Sequence, residues 1–186
     1  MLNRISSHTL DFNSDFGVLN YAYTLEVMEW DFYGRVLRDP PGDLRRGELE
    51  VLRDIYEHEN SHRKFFQRAI GIFKIEVPER DFSSVDFTRR ESVLRTASMF
   101  ENTGTAAYNG AGKYISLPEF LTIAGKIVSV EARQAAILRE LLFQNPRAFA
   151  DDTVVDERGM DRAFEPRQVL DMVAPFFKQR LRIVGV

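Results

Sequence analysis

Glu59 and His62 stand three residues apart within a run of helical period, and Glu131 with Gln134 repeats that spacing later in the chain. Residues three apart lie on one face of a helix, so Glu59 and His62 can grip a single cation together. Glu26 and Glu101 are lone glutamates among apolar neighbours on two further helical segments. An apolar stripe faces a core, where an isolated carboxylate loses several kcal/mol of hydration unless something compensates it. Four such residues on four helices point to one shared partner, and two divalent cations would set four positive charges against four carboxylates. Carboxylate oxygen with imidazole nitrogen suits iron or manganese, while the absence of cysteine disfavours a soft metal. The expected cofactor is a pair of iron or manganese ions, fully or partly occupied or lost altogether, because Gln134 stands where a symmetric site would carry a second histidine.

Each of these residues has a plainer role open to it. Glu26 competes with Glu29, and one of the two is expected to face solvent; the interval from Glu26 to Tyr33 matches that from Glu101 to Tyr108 and favours Glu26. Tyr33 and Tyr108 are either core aromatics or electron donors to the site, and Trp30 is read as packing. Arg133 or Arg139 could neutralise Glu131, although neither shares its helix face, and Glu101 could protrude beside the glycines between Gly104 and Gly112. The segment His58-Glu59-Asn60-Ser61-His62 also fits His-Glu-x-x-His, in which both histidines bind zinc and the glutamate is a general base. Such enzymes need a third protein ligand and a sheet beside the helix, but the remaining histidine is His8 and strand-period segments are missing. No Gly-x-Ser-x-Gly elbow, P-loop or dinucleotide fingerprint occurs, so nucleophilic and nucleotide chemistry have no candidates.

Composition narrows the field further. A chain of 186 residues with 44% hydrophobic and 28% charged content fits one ordinary domain. A net charge of -3, a pI near 5.7 and scattered Lys and Arg argue against nucleic acid as a partner. No apolar run approaches the roughly 20 residues that span a bilayer, and Met1 to Ser7 lack the apolar core of a leader. The expectation is a soluble protein, cytoplasmic by default, with an exported form open if a leader has been trimmed. Zero cysteine excludes disulfides and thiolate catalysis but fits either redox compartment.

Five helical segments must position these side chains. Residues 1–13 read as a polar arm with little structure of its own, ahead of a single domain over 14–186 whose bundle spans about 14–145. Leu19, Ala22, Tyr23, Glu26, Trp30, Tyr33 and Leu37 set the first helix, which starts near Ser14 or Asp15 and is ended by Asp39-Pro40-Pro41-Gly42. Leu52, Ile55, Glu59, His62, Phe66 and Ile70 set a second, from about Leu44 to a stop at Gly71. The short turn between them makes the two antiparallel neighbours. The connection from Ile72 to Thr88 could stretch about 56 Å, longer than a bundle helix, and so could cross from one end to the other. A third helix over about Arg89 to Lys113 carries Glu101, and glycines that admit a close neighbour; a fourth starts near Ser116 and Pro118, carries Glu131 and ends at Asn145-Pro146. Residues 147–165 read as a polar loop, and Val169 to Phe177 as a short fifth helix outside the bundle.

Leu19-Asn20-Tyr21-Ala22-Tyr23-Thr24-Leu25-Glu26 with Phe32-Tyr33, Glu57-His58-Glu59 with His62, the run Glu101 to Ala111, and Val130-Glu131-Ala132-Arg133-Gln134-Ala135 occur in that order. Together they resemble bacterial ferritin-like domain proteins akin to plant desiccation-related proteins, over about residues 14–142. The resemblance implies an all-α, ferritin-like four-helix bundle with its long crossover between helices two and three. It places Glu26, Glu59, His62, Glu101 and Glu131 on ligand positions, with Glu26, Glu59 and His62 holding the tighter metal, Glu101 bridging, and Glu131 with Gln134 serving the weaker. The family usually continues its last motif as Glu-Ala-Arg-His, so Gln134 implies a second site of lower affinity. The implied function is a di-iron carboxylate protein that oxidises or sequesters Fe(II) with oxygen or peroxide in stress protection, in which a homo-oligomer is allowed. The alternative is a degenerate bundle used as a non-catalytic scaffold or desiccation-protective interaction module.

Overall fold

The computed structural model describes residues 8–186. Its frame is four long helices: α1 Asp15–Arg38, α2 Glu48–Ile70, α3 Arg90–Ala111 and α4 Pro118–Phe143. Ser14 caps α1, its hydroxyl accepting from the Gly17 N–H at 3.3 Å. Sequence periodicity places the start of α2 near Leu44, but the helix begins only at Glu48. Gly47 precedes it in the left-handed region (φ 87°), and the Glu48 side chain turns back to accept from the Arg45 N–H at 2.7 Å. Gly71 (φ 57°) stops α2 at its other end, as expected.

Polar staples set the crossover between α2 and α3. Asn20 in α1 donates to the Phe73 carbonyl and accepts from the Ile75 N–H, and further along α1 Asp31 accepts from Arg80 at 2.9 Å. The chain thus runs alongside α1 and delivers α3 to the end where α2 begins. There the Arg90 guanidinium lies against Glu48 at 2.5 Å and donates to the Leu141 carbonyl of α4, while its backbone N–H is held by Asp43. One buried ion pair therefore joins the starts of α2 and α3 to the end of α4, so α2 and α3 run parallel. Salt-bridged Glu48 is held below the ordinary carboxylate range by its bonds from Arg90 and Arg45, which outweigh burial.

Of the arm expected over residues 1–13, residues 1–7 lie outside those described, and the rest is not free of structure. Thr9–Asp11 forms β1, parallel to β2 at Arg182–Val184, with Leu10 opposite Ile183 and wholly buried. A two-stranded patch this small holds because Leu10 and Phe12 enter the main core. The fifth helix, α5 at Pro166–Val173, packs on α3 with Val169 and Val173 fully buried. The segment before it is tied down rather than free: Arg139 binds the Ala148 carbonyl and Asp151, and the Phe164 N–H bonds the Ala106 carbonyl. Gly110 makes that approach feasible, since a Cβ there would come within 1.8 Å of the Phe164 carbonyl oxygen. Among the described residues no helix is long and apolar enough to cross a membrane.

Candidate metal centre

All four helices send acids into the middle of the bundle. Glu26, Glu59, Glu101 and Glu131 are completely buried, and Glu29 is 2% exposed. Ligating atoms of Glu26, Glu59, His62 and Glu131 lie within 4.8 Å of one another, as do those of Glu29, Glu101 and Glu131. Glu131, and not Glu101, is common to both groups.

His62 sits at the meeting point of the first group. Its Nδ1 is 3.2 Å from Glu26 Oε2, 3.3 Å from Glu131 Oε1 and 3.4 Å from Glu59 Oε2. One nitrogen cannot hydrogen-bond three oxygens at once, and Nδ1 has hydrogen-bond geometry to none of them. Glu26 Oε2, Glu59 Oε2, Glu101 Oε2 and both oxygens of Glu131 are likewise buried and unpartnered. Buried polar atoms are satisfied almost everywhere in native proteins, so five orphan carboxylate oxygens and an orphan imidazole nitrogen facing one another fit a cation-binding cage.

The remaining valences are filled in ways that aim these orphans inward. Tyr108 donates to Glu26 Oε1, Tyr33 donates to Glu101 Oε1 at 2.6 Å, and Gln134 Nε2 donates to Glu59 Oε1 at 2.6 Å. Each of these three carboxylates thus has one oxygen held and one presented to its neighbours. Gly104 makes room on α3, for a Cβ there would lie 2.8 Å from Glu131 Oε2 and 3.3 Å from Glu29 Oε1.

The electrostatics follow from crowding acids away from water. Burial first, then repulsion from Glu59, pushes Glu26 up to about 8, the nearby His62 notwithstanding. Burial also drives Glu29, Glu101 and Glu131 well above the carboxylate range, with repulsion adding to it, from Glu101 and Glu131 on Glu29, from Glu131 and Glu59 on Glu101, and from Glu59 and Glu26 on Glu131. Burial alone would lower His62, but contact with Glu131, Glu26 and Glu59 more than reverses this and raises it strongly. Without a cation, the centre holds itself together by keeping protons.

Sequence reasoning expected either Glu26 or Glu29 to face solvent; both face the centre. The helix α1 is covered on nearly every side, so position 29 has no solvent face, and its i, i+3 relation to Glu26 puts both acids on one stripe. Neither arginine suggested for Glu131 touches it: Arg133 bonds Ser129, and Arg139 is committed to Ala148 and Asp151. Trp30 packs between Tyr56 and the Arg63 guanidinium, 4.2 Å from its ring. His58 is exposed, with Nδ1 3.4 Å from Gln134 Nε2, and belongs to neither donor group, which leaves the zinc-peptidase pattern without its first ligand.

The family model for the ferritin-like domain matches residues 14–144, the whole four-helix unit. A search of curated proteins gives no significant match.

Proposed function

Because the chain belongs to the ferritin-like domain family, we propose that it is a di-metal carboxylate protein that binds iron or manganese and oxidises or sequesters Fe(II) with oxygen or peroxide, in stress protection. The observation carrying this is the set of orphan atoms: buried oxygens from four helices and the His62 nitrogen facing one another without partners. Glu26, Glu59 and His62 would hold the tighter ion, with Glu131 shared toward a second, weaker position. Bound iron would supply the one-electron redox chemistry. The residues around it do the rest. Tyr33, buried, and Tyr108, partly buried, orient Glu101 and Glu26 by donating a hydroxyl hydrogen bond to each. Burial first, then the adjacent acid, raises both phenols well above their ordinary value, so each stays protonated as a donor across the physiological range. Gln134 fixes Glu59 through a neutral amide, which orients that ligand without competing for charge.

One observation favours the scaffold alternative. Protonated His62 among three carboxylates, with Gln134 on Glu59, is a charge-compensated core that needs no metal. Metal analysis and an absorbance scan of protein grown in iron-supplemented medium separate the two. Stoichiometric iron with charge-transfer absorbance supports the di-metal protein; metal-free protein after such growth supports the scaffold.

A further inference from the structure

The donors on the two sides of Glu131 differ in chemistry. One side offers Glu26, Glu59 and the His62 imidazole, whereas the other offers Glu29 and Glu101, oxygen alone. Glu131 divides between them: its Oε1 lies 3.3 Å from His62 Nδ1, and its Oε2 lies at Gly104, beside which Glu29 Oε1 also comes. Both Glu131 oxygens are buried without a partner, and so is Glu101 Oε2, the oxygen left over after Tyr33 has taken Oε1. Gln134, which occupies the position of a second histidine, gives its amide nitrogen to Glu59 and lies 3.4 Å from exposed His58, while its Oε1 is buried without a partner.

Building on the di-metal reading, we infer that Glu29, Glu101 and Glu131 form an oxygen-only cation site in which Glu29 adds a third carboxylate. Its ligand is a hard divalent cation of the manganese and magnesium class. Carboxylate oxygen suits such ions, while imidazole shifts preference toward iron or zinc, so the two sides of Glu131 select different metals. Gly104 belongs to the same device, because any side chain there would strike the two acids that must converge.

The test uses the full-length chain, stripped of metal and titrated with Mn(II) under anaerobic conditions. Calorimetry counts the ions, and electron paramagnetic resonance reports whether they are coupled. Wild type is expected to take up two Mn(II) with a coupled spectrum. One equivalent of Zn(II) should then displace the ion on the imidazole side and leave the six-line signal of isolated Mn(II). Glu29→Gln should bind one Mn(II) and lose it to one equivalent of Zn(II), with Glu101→Gln behaving alike as a second variant should the first fold poorly. Retention of both ions by Glu29→Gln and Glu101→Gln, or uptake of only one ion by wild type, would overturn the oxygen-only site while leaving the di-metal family reading to stand on His62. No uptake by wild type would overturn both.

Discussion

Replacing Glu26 by Gln should make the metal-free protein more stable at neutral pH, and the gain should grow as pH rises. Burial and Glu59 hold the Glu26 carboxyl at about 8 against an ordinary 4.5. A raised pKa means that the folded state keeps a proton the unfolded chain has released, so folding stability is complete below pH 4.5 and is lost as pH climbs toward 8. Each pH unit in that window costs about 1.4 kcal/mol, so at pH 7 Glu26 removes on the order of 3 kcal/mol. The amide carries no titration but still accepts from Tyr108. Weakening that bond and removing one of the acids around His62 takes back about 1–2 kcal/mol. The net gain at pH 7 is about 1–2 kcal/mol, or roughly 2–8 °C in melting temperature for a chain of this size. At pH 5 the titration contribution is below about 1 kcal/mol, so the variant should there be equal to or less stable than wild type. Thermal melts of both metal-free proteins from pH 5 to 8 check this. Wild-type stability that is flat or rising over the window, or a variant advantage that does not grow with pH, would refute the convergence of buried acids on which the sign depends.

Other outcomes follow from individual side chains. His58→Ala should leave metal content nearly intact, while His62→Ala should lower it, because only His62 reaches the carboxylates; metal analysis after identical loading decides, and the reverse pattern would assign the site to the peptidase-like pair. Gly104→Ala should lower metal content and destabilise the chain by about 1–3 kcal/mol from crowding against Glu131 and Glu29, partly offset by about 1 kcal/mol of helix propensity. Melting and metal analysis on one preparation check both effects.

Helical period carried most of the fold into view, because α2 and α4 each have one buried face and their acids sit within it. The crossover was legible from length alone, since its residues lack period and suffice to run the length of a helix. Glu29 was not, because the choice between it and Glu26 assumed that α1 has a wet side. In fact Val27, Met28 and Glu29 are all buried in succession, which no amphipathic pattern would indicate. The signal that could have found it was the i, i+3 step from Glu26, the same step that drew attention to Glu59 and His62. The pairing of β1 with β2 had no local signature, as its two three-residue strands come from opposite ends of the chain and owe their stability to Leu10 in the core. The commitment of Gln134 to Glu59 depends on how α2 and α4 approach each other, which spacing within one helix does not encode.

The most direct measurement is anaerobic calorimetric titration of the metal-free protein with Fe(II), beside the His62→Ala variant. If the buried acids and His62 are a two-cation centre with imidazole on one side only, wild type shows two binding steps of clearly unequal affinity and His62→Ala loses the tighter one. Two equal steps, or a wild-type isotherm no different from that of the variant, would contradict it.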